Sequence, residues 1–387
     1  MSGGDLVGVF GTSQKENERR VPIYPDHVPW IEPTLRARLV FQLGYGARFG
    51  FRDEFFLSQG CSVATRDELF GRCRILLLPK PTVADIESMV EGQVLCGWVH
   101  CVQQHAVTQS AIDRRVTILA WESMHHWDGA GNRLLHIFYK NNELAGYAAV
   151  LHVLQLTGID GHYGPRRRVT VTGYGAVSRG AIYALQGRGF NYIHVVTLRP
   201  THLVADQNPD VYYAQYVVPP DGRVIQRSQS GEVRPFIEEI AESDIICNGI
   251  IQDTDSPTIF VHADEVNRLK ARSIVVDVSC DEGMGFCFAR PTSFEAPTFE
   301  VGDKVTYYSV DHTPSYLWNA ASREISRALL PYLPIIADRR CEWERDRTVS
   351  NAVEVEHGEI RNRRILRFQG RTAEFPHAYI SSGMPQR

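Results

Sequence analysis

The sequence predicts an α/β protein of two domains, with the second domain inserted into the first. Short apolar runs bounded by turn residues alternate along the chain with segments of helical character, and this alternation is typical of mainly parallel sheets. Two separate series of such runs are present. The chain has 387 residues, which is more than one hydrophobic core usually serves. Two long helical segments flank the second series, which indicates that the chain leaves the first domain once and then returns to it.

The two series supply the strands of the two domains. Each apolar run has the length of a buried strand, and the mixed segments of the first series, TRDELFGRC (65–73) and TVADIESMV (82–90), have helical character. The first series consists of LVGVF (6–10), LVFQ (39–42), ILLLP (75–79), VLCGWV (94–99) and VTILAW (116–121). The second series consists of VTVTG (169–173), YIHVVTL (192–198), SDIICNG (243–249) and SIVVDVS (273–279).

A long helix is predicted over residues 139–158, between the two series. Leu144 and Leu151 fall on one helical stripe, and Gly158 fits the position that follows a helix. A comparable helix is predicted from near Ser315 to Leu333. The resulting domain limits are 1–136 with 308–387 for the first domain and 137–307 for the second.

Composition and charge exclude several classes of protein. The chain is 43% hydrophobic and 22% charged, with 41 basic and 45 acidic residues and a net charge of −4. These values argue against a disordered protein, a nucleic-acid binder and a membrane-surface protein. No apolar run approaches the roughly 18–20 residues of a membrane span. The eight cysteines form no C-x-x-C pair, which favours a reduced, cytoplasmic protein.

A glycine-rich loop follows the first strand of the second series. In VTVTGYGAVSRGA (169–181), Gly173 permits a tight turn and Gly175 lets backbone N–H groups approach a pyrophosphate at a helix N-terminus. The usual third glycine is replaced by Ser178, and Gly180 follows two residues later. A purely structural tight turn is the alternative. Because the loop follows a clean strand in an α/β series, it predicts dinucleotide binding.

The next strand predicts which dinucleotide binds. An NAD site places an acid about 20 residues beyond the loop, but VVTLRPTHL (195–203) is followed by no acid before Asp206. Arg199 and the hydroxyl of Thr197 fit a 2′-phosphate, although Arg199 also fits an exposed strand end. NADP(H) is therefore favoured over NAD(H). The predicted cofactor-binding residues are Gly173, Gly175, Ala176, Val177, Ser178, Thr197, Arg199 and Asn248.

Four charged or ionisable residues of the first domain lie at loop edges. Arg20 lies in ERRVP (18–22), where its planar guanidinium is able to hold a carboxylate. Lys80, His100 and Glu122 each close a predicted strand, and the carboxyl ends of parallel strands converge on ligands. Taken singly, a strand-end histidine is more often a partly buried structural side chain, and a lone lysine is usually solvated.

Three further ionisable residues are predicted to join this site. Asp281 ends a strand of the second series, and Asp311 with His312 lies where the chain returns to the first domain. A turn before Pro314 is the structural alternative for the Asp-His pair. The adjacent His125 and His126 do not predict a metal site, because adjacent side chains diverge and no carboxylate or cysteine lies at metal-ligand spacing.

Several segments resemble the alanine dehydrogenase/pyridine nucleotide transhydrogenase family. They are ENERRVPIYPDHV with Lys80 and His100, the Gly-x-Gly loop and VDVSCDEG. FYKNNELAGY (138–147), DVSCDEGMGF (277–286) and YYSVDHTPSYLW (307–318) look most like its N5-(carboxyethyl)ornithine synthase branch. The resemblance implies two Rossmann-like doubly wound domains, with the cofactor domain inserted into the substrate domain. It also implies a homo-oligomer.

The resemblance further implies roles for the ionisable residues. Arg20 would bind the carboxylate of pyruvate, Lys80 would lie at its carbonyl, and His100 would act as general acid and base. The aspartate of the DVSCD string is Asp281. Glu122, Asp311 and His312 match positions of the saccharopine-type and carboxyethyl-amino-acid branches. By that resemblance they are expected to meet the amine donor or to orient the catalytic groups. The chain departs from the family pattern in its late third glycine and in Pro81, where several relatives have glutamate.

These observations predict an enzyme whose partners are a small-molecule amino acid and a 2-oxo acid. The hypothesis is an NADPH-dependent condensation of a diamino-acid side-chain amine, from ornithine or lysine, with pyruvate, followed by imine reduction. An alanine dehydrogenase that uses ammonia and a saccharopine dehydrogenase that uses 2-oxoglutarate are the enzymatic alternatives. A non-catalytic NADP(H)-binding protein is a third.

Overall fold

The computed structural model describes residues 4–253, 256–338 and 340–380, and these residues form two compact units. The first unit comprises the described residues of Met1–Tyr139 and Trp318–Arg387, and the inserted unit is Lys140–Leu317. Both units are mixed α/β, which confirms the predicted fold class of two Rossmann-like domains, one inserted into the other.

The first unit begins with eight strands and five helices. Its strands are β1 Val7–Val9, β2 Leu39–Gln42, β3 Ser62–Ala64, β4 Ile75–Leu77, β5 Val94–Gly97, β6 Thr117–Ala120, β7 His125–Trp127 and β8 Arg133–His136. Its helices are α1 Pro33–Arg36, α2 Asp53–Ser58, α3 Arg66–Arg72, α4 Val83–Glu87 and α5 His105–Asp113. Three 3-10 turns accompany them, at Pro25–Trp30, Ala47–Phe49 and Trp121–Ser123.

The inserted unit follows in the chain. Its helices are α6 Tyr139–Thr157, α7 Ala176–Gly187 and α8 Phe236–Ala241. Its strands are β9 Val169–Thr172, β10 Ile193–Thr197, β11 Val211–Val217, β12 Ile225–Arg227, β13 Val233–Pro235, β14 Ile245–Asn248, β15 Ile259–Val261, β16 Ile274–Asp277, β17 Gly285–Phe286, β18 Thr298–Val301 and β19 Val305–Tyr308. Its 3-10 turns are Thr201–Leu203, Ala263–Arg268 and Thr313–Leu317.

The chain then returns to the first unit through short elements. These are α9 Trp318–Leu329, α10 Leu333–Ala337, α11 Arg340–Trp343, α12 Arg347–Ser350, β20 Val353–Glu356, β21 Glu359–Ile360 and α13 Arg363–Gln369. The predicted return helix was too long, because α9 ends at Leu329 and a separate helix begins at Leu333. Pro331 lacks a backbone N–H and interrupts the helix between them. No helix among the described residues has both the length and the hydropathy needed to cross a bilayer.

Both main sheets have the same doubly wound strand order. In the first unit the order is β21-β20-β6-β5-β4-β1-β2-β3, and the six strands from β6 to β3 are parallel. The chain moves outward from β1 to β3 and then crosses back to β4. Neighbouring strands β1 and β4 therefore carry loops that diverge, and ligands of doubly wound folds bind at this kind of topological switch point.

The sheet of the inserted unit reads β13-β12-β11-β10-β9-β14-β16-β19-β18. Its switch point lies between β9 and β14, which pair in parallel. The predicted helix over 139–158 is confirmed as α6, which packs against α7 with very little space between their backbones. A Cβ on Gly146 would lie 1.9 Å from the Val177 carbonyl oxygen, and one on Gly180 would lie 1.8 Å from that of Glu143. Gly180 is therefore required for helix packing.

Candidate functional site

Lys80, His100 and Glu122 follow three neighbouring parallel strands of the first unit. They come after β4, β5 and β6 respectively, at the edge where the carboxyl ends of these strands meet. Gly97 allows the strand ends to lie close together, since a Cβ there would be 2.0 Å from the Leu78 carbonyl oxygen. The structure thus brings these three predicted residues to one edge of one sheet.

His100 is held by Glu122. The backbone N–H of His100 donates to Glu122 Oε1 at 2.5 Å, and the imidazole Nδ1 lies 3.9 Å from the same oxygen. His100 has a φ of +52°, in the left-handed region that non-glycine residues rarely adopt. A strained conformation of this kind persists only where its surroundings impose it, and such residues cluster at functional sites.

The Glu122 carboxyl retains its proton more strongly than a glutamate in water does. Burial and the negative charge of Glu354 raise the pKa of Glu122 to about 8, although the His100 backbone N–H and the Lys80 ammonium oppose this rise. Lys80 is itself buried, with 8% of the residue exposed. A cation, an imidazole and a carboxyl of raised pKa therefore lie together, which is a combination suited to proton transfer near neutral pH.

Arg20 is buried and paired with Glu18. Its Nε donates to Glu18 Oε1 at 2.8 Å, and its Nη2 forms an ion pair with Glu18 Oε2. Its guanidinium carbon lies 4.7 Å from the centroid of the Trp98 ring, just beyond β5. The pair fixes the guanidinium plane at the same edge of the sheet, so Glu18 orients the fork that was predicted to bind a carboxylate.

The neighbouring Arg19 contributes to a separate pocket. This pocket has a volume of about 420 Å³ and is lined by Arg19, Arg48 and Trp318. The Arg48 guanidinium donates to the Arg19 carbonyl oxygen at 3.4 Å, and the Trp318 ring packs edge-on against Phe49. Two exposed guanidinium groups beside an indole offer a site for a carboxylate that is attached to a hydrocarbon chain.

The glycine-rich loop lies at the switch point of the inserted unit. Gly173 has a φ of +79°, and its N–H donates to the Val196 carbonyl at 2.8 Å. A Cβ on Gly175 would meet no atom within 4 Å, so open space adjoins the N-terminus of α7. Ala176 and Val177 begin this 12-residue helix, whose first N–H groups face that end. The arrangement fits the pyrophosphate of a dinucleotide.

Ser178 occupies the position of the usual third glycine without obstructing this turn. It is buried, and its hydroxyl donates to the Thr172 carbonyl oxygen at 3.0 Å. A Cβ on Gly249 would lie 2.7 Å from the Ser178 oxygen, so glycine at 249 makes room for the serine. The close packing between loop and helix is thus shared among Ser178, Gly180 and Gly249.

The other predicted cofactor-binding residues lie near the same strand ends. Thr197 is buried at the end of β10, and Arg199 is exposed two residues beyond it. The Asn248 amide is buried, where it accepts from the Thr172 hydroxyl at 2.7 Å and donates to Asp277 Oδ1 at 3.0 Å. Asn248 therefore joins β9, β14 and β16 at the switch point.

Asp281, Asp311 and His312 belong to the inserted unit. Burial raises the pKa of Asp281 to about 6. The Asp311 carboxylate lies 3.3 Å from His312 Nδ1, and His312 has a buried side chain and a φ of +46°. The seven predicted substrate and catalytic residues are thus divided between the two units. Arg20, Lys80, His100 and Glu122 lie in the first unit, and Asp281, Asp311 and His312 lie in the inserted unit.

Among the described parts of the chain, no cluster of three or more His, Cys, Asp or Glu side chains is arranged to hold a metal ion.

Two functional candidates were missed by sequence reasoning. Glu18 is not among the predicted residues, although it lies two positions before Arg20 in the sequence. Glu354 lies in a C-terminal segment that reads as polar, and its proximity to Glu122 depends on pairing between distant strands. The alternation in AVEVE (352–356) was the local signal for a strand there.

Comparison with known proteins gives matches over both units. The family model of the alanine dehydrogenase/PNT N-terminal domain matches residues 12–140, and that of the C-terminal domain matches residues 149–363. The N(5)-(carboxyethyl)ornithine synthase of Clostridium botulinum is 26% identical over 326 residues, which cover 81% of this chain and 89% of that protein. The alanine dehydrogenase of Mycobacterium tuberculosis is 26% identical over 334 residues, which cover 84% and 86%.

Solved structures show the same fold. An L-alanine dehydrogenase superimposes with a TM-score of 0.72 at 21% identity, covering 94% of this chain and 98% of that one. A transhydrogenase from Sinorhizobium meliloti superimposes with a TM-score of 0.69 at 18% identity, covering 92% and 100%.

Proposed function

The chain belongs to the alanine dehydrogenase/PNT family, and from that premise we propose that this oxidoreductase condenses a diamino-acid side-chain amine with a 2-oxo acid and reduces the imine with NADPH. Reductive-amination chemistry is common to its relatives. The proposed amine donor is ornithine or lysine, and the proposed oxo acid is pyruvate. The similarity to N(5)-(carboxyethyl)ornithine synthase over 81% of the chain supports this choice.

The residues of the first unit bind and activate the oxo acid in this proposal. Arg20, oriented by Glu18, holds the carboxylate, and the Lys80 ammonium polarises the carbonyl oxygen. The attacking amine must be neutral, whereas alkylammonium groups titrate near 10 in water, so a base must take its proton. His100 takes that proton and then donates one as the carbinolamine loses water.

The glycine loop and α7 hold the cofactor in this proposal. Gly173 and Gly175 leave the backbone N–H groups at the start of α7 accessible to a pyrophosphate, and Arg199 with Thr197 takes the 2′-phosphate. When bound, the nicotinamide supplies the hydride that reduces the imine carbon. The absence of an acid between β10 and Asp206 supports NADPH over NADH.

The amine donor requires a second anion site, because a diamino acid carries its own carboxylate. Arg19 and Arg48, in the pocket beside Trp318, provide guanidinium groups for this second carboxylate. Arg19 directly precedes Arg20 in the chain. Ammonia has no carboxylate and needs no such site. The pocket therefore supports an amino acid as amine donor.

The observation that carries the proposal is the convergence of Lys80, His100 and Glu122 at one sheet edge, in a chain with a dinucleotide loop. The test measures NADPH oxidation with pyruvate together with ornithine, lysine or ammonium, and determines the product mass. We expect turnover with a diamino acid and a product mass equal to amine plus pyruvate less one oxygen.

The outcomes separate the alternatives. Preference for ammonium would identify an alanine dehydrogenase-type enzyme, and activity only with lysine and 2-oxoglutarate would identify a saccharopine-type enzyme. Tight NADPH binding without turnover for any pair would favour a non-catalytic protein. An increased KM for ornithine in Arg48→Ala, with KM for pyruvate unchanged, would place the amine's carboxylate in the Arg19–Arg48 pocket.

A further inference from the structure

A buried carboxyl group, that of Glu354, lies close to the partly buried Glu122. Glu354 belongs to β20, and only 3% of the residue is exposed. Its Oε1 accepts hydrogen bonds from the Ser123 hydroxyl at 2.8 Å and from the Asn362 amide at 3.2 Å. Because Ser123 follows Glu122 on the 3-10 turn after β6, the first of these bonds joins that turn to β20.

A β-bulge directs Glu354 toward this turn. β20 pairs antiparallel with β6, but Val353 and Val355 face the adjacent residues Leu119 and Ile118, so the register shifts at Glu354. Glu354 is the extra residue of the bulge. Bulges redirect side chains and are over-represented next to active sites. This one buries a carboxyl group at the edge of the sheet where His100 and Lys80 lie.

One oxygen of each carboxyl lacks a hydrogen-bond donor. Glu122 Oε2 and Glu354 Oε2 are both buried, and neither has a partner among the residues that the structure describes. Two neighbouring carboxylates in a buried site repel each other, and a buried oxygen without a donor is costly. A single proton on the pair removes one of the two negative charges.

We propose that Glu354 is a positioning residue for His100, and that the Glu354–Glu122 pair carries a single proton. The inference rests on the proposed function only in giving His100 the role of acid and base. A neutral Glu122 accepts the His100 backbone N–H without fixing a positive charge on the imidazole 3.9 Å away. His100 is then able to release a proton as readily as it accepts one.

The groups around the two carboxyls determine how the pKa of Glu122 responds to the loss of the Glu354 charge. Burial raises the pKa of both carboxyls, and the charge of Glu354 raises that of Glu122 further. Hydrogen bonds from Ser123, Asn362 and the buried Cys101 thiol oppose the rise at Glu354, together with the charge of Arg364. The His100 backbone N–H and the Lys80 charge oppose it at Glu122. Removal of the Glu354 charge therefore lowers the pKa of Glu122. The ionised Glu122 then stabilises the His100 imidazolium.

The first experiment records kcat/KM against pH for the wild type and for Glu354→Gln. We expect the group that titrates near pH 8 in the wild type to titrate at least about one unit lower in the variant. Glu122→Gln should abolish this titration, and the double variant should match Glu122→Gln. Glu356→Gln, on the same strand and paired with Arg361, is the matched control and should leave the profile unchanged. A profile of Glu354→Gln that superimposes on the wild type would overturn the inference.

The second experiment needs no turnover. Infrared difference spectra of the full-length wild type minus Glu122→Gln should contain the C=O stretching band of a neutral carboxylic acid at pH 7, and the band should disappear above pH 8. In Glu354→Gln the band should be weaker at pH 7 than in the wild type, and it should disappear at a lower pH. A wild type without this band overturns the inference, even if Glu354→Gln does not fold. Because the band is independent of substrates, failure of the proposed function leaves this test intact.

Discussion

Two glutamate clusters of this protein shift the pKa of their central carboxyl group in opposite directions. In the inserted unit, Glu239 forms ion pairs with Arg168 at 2.7 Å and with Arg234, and its Oε1 lies 3.2 Å from His194 Nδ1. Although burial opposes it, hydrogen bonds and positive charge from His194 and Arg168 lower the pKa of Glu239. In the first unit, Glu122 faces another carboxyl, and its pKa is raised to about 8. The pKa of a glutamate is therefore lowered at one site and raised at the other.

The positions of the clusters explain this difference. Arg168 immediately precedes β9 and His194 is the second residue of β10, so the Glu239 cluster lies at the amino ends of the parallel strands. Glu122 and His100 lie beyond the carboxyl ends of their strands. Ligands of doubly wound folds bind at the carboxyl ends. We therefore expect the ion-paired cluster at the amino ends to contribute to stability, and the carboxyls at the carboxyl ends to take part in the proposed proton transfer.

The largest expected effect is a loss of stability, without a loss of activity, in Glu239→Gln. Glu239→Gln removes the anion shared by Arg168, Arg234 and His194, and loss of one partner of a buried pair costs about 3–5 kcal/mol in free energy of unfolding. Denaturant unfolding should show this loss at pH 7, with kcat unchanged. Glu242→Gln, an exposed partner of the same arginines, should cost about 1 kcal/mol or less.

The effect of Glu239→Gln on the free energy of unfolding is expected to depend on pH. Because the pKa of Glu239 is lower in the folded protein than in the unfolded chain, its contribution is present above the ordinary carboxyl value of 4.5 and declines as the pH falls below it. The difference in unfolding free energy between wild type and Glu239→Gln should therefore narrow in acid. A difference that is independent of pH between 3 and 7 would contradict the account of this cluster.

Substitutions at the carboxyl ends of the strands in the first unit are expected to lower activity and not stability. His100→Asn and Lys80→Met should each lower kcat by at least about 100-fold, a loss of about 3 kcal/mol in transition-state stabilisation, with little change in unfolding free energy. His126→Asn and Lys270→Met alter an exposed histidine and lysine elsewhere and serve as controls. Near-wild-type turnover in both site variants would remove the assigned roles.

Arg20→Ala tests whether an ion pair at the carboxyl ends binds substrate. We expect KM for the oxo acid to rise about 10-fold or more, which corresponds to about 1.4 kcal/mol, because a charge-assisted bond to the carboxylate is lost. Arg19→Ala is the matched control for this measurement and should leave KM for the oxo acid unchanged. An unchanged KM in Arg20→Ala would mean that the Glu18–Arg20 pair is structural, like the Glu239 cluster.

The smallest expected effect concerns the inserted unit. Arg199→Asp should shift the ratio of kcat/KM for NADPH over NADH toward NADH, by about 10-fold, because an acid repels the 2′-phosphate and accepts from the ribose hydroxyl. The exposed Arg227 on β12 provides a control substitution of the same charge change. No shift in the ratio would leave Arg199 as an exposed strand-end residue.

Prediction from sequence was most successful where the pattern is local. Buried runs such as β4 and β5 are apolar throughout because both faces of a parallel sheet are covered, and they were visible as short hydrophobic segments. The helix α6 was also predicted, although Leu144 and Leu151 of its predicted stripe are only partly buried and Val150 and Val153 are buried instead. The family and the fold class were also predicted, and the family models and the strand orders confirm them.

Elements at the sheet margins were not predicted. The strands β12 and β13 and the C-terminal β20 and β21 are short and mixed in polarity, and each pairs antiparallel at the edge of a sheet. Strands of two or three residues, such as β12, β13 and β21, are too short to show a hydrophobic period, whereas β20 does alternate. The predicted extension of α9 past Leu329 was wrong for a simpler reason, since Pro331 was present in the sequence.

The sequence by itself determined the alternation of strands and helices, the turn at Gly173, and the positions of Lys80, His100 and Glu122 directly after three apolar runs. These features depend on residues within one turn or one strand of each other. Only the tertiary structure decided that Glu354 lies beside Glu122, because the Ser123–Glu354 bond joins residues 231 positions apart through an antiparallel strand with a bulge. Which strand pairs with β6 over such a separation depends on the arrangement of the whole sheet, and no local pattern encodes it.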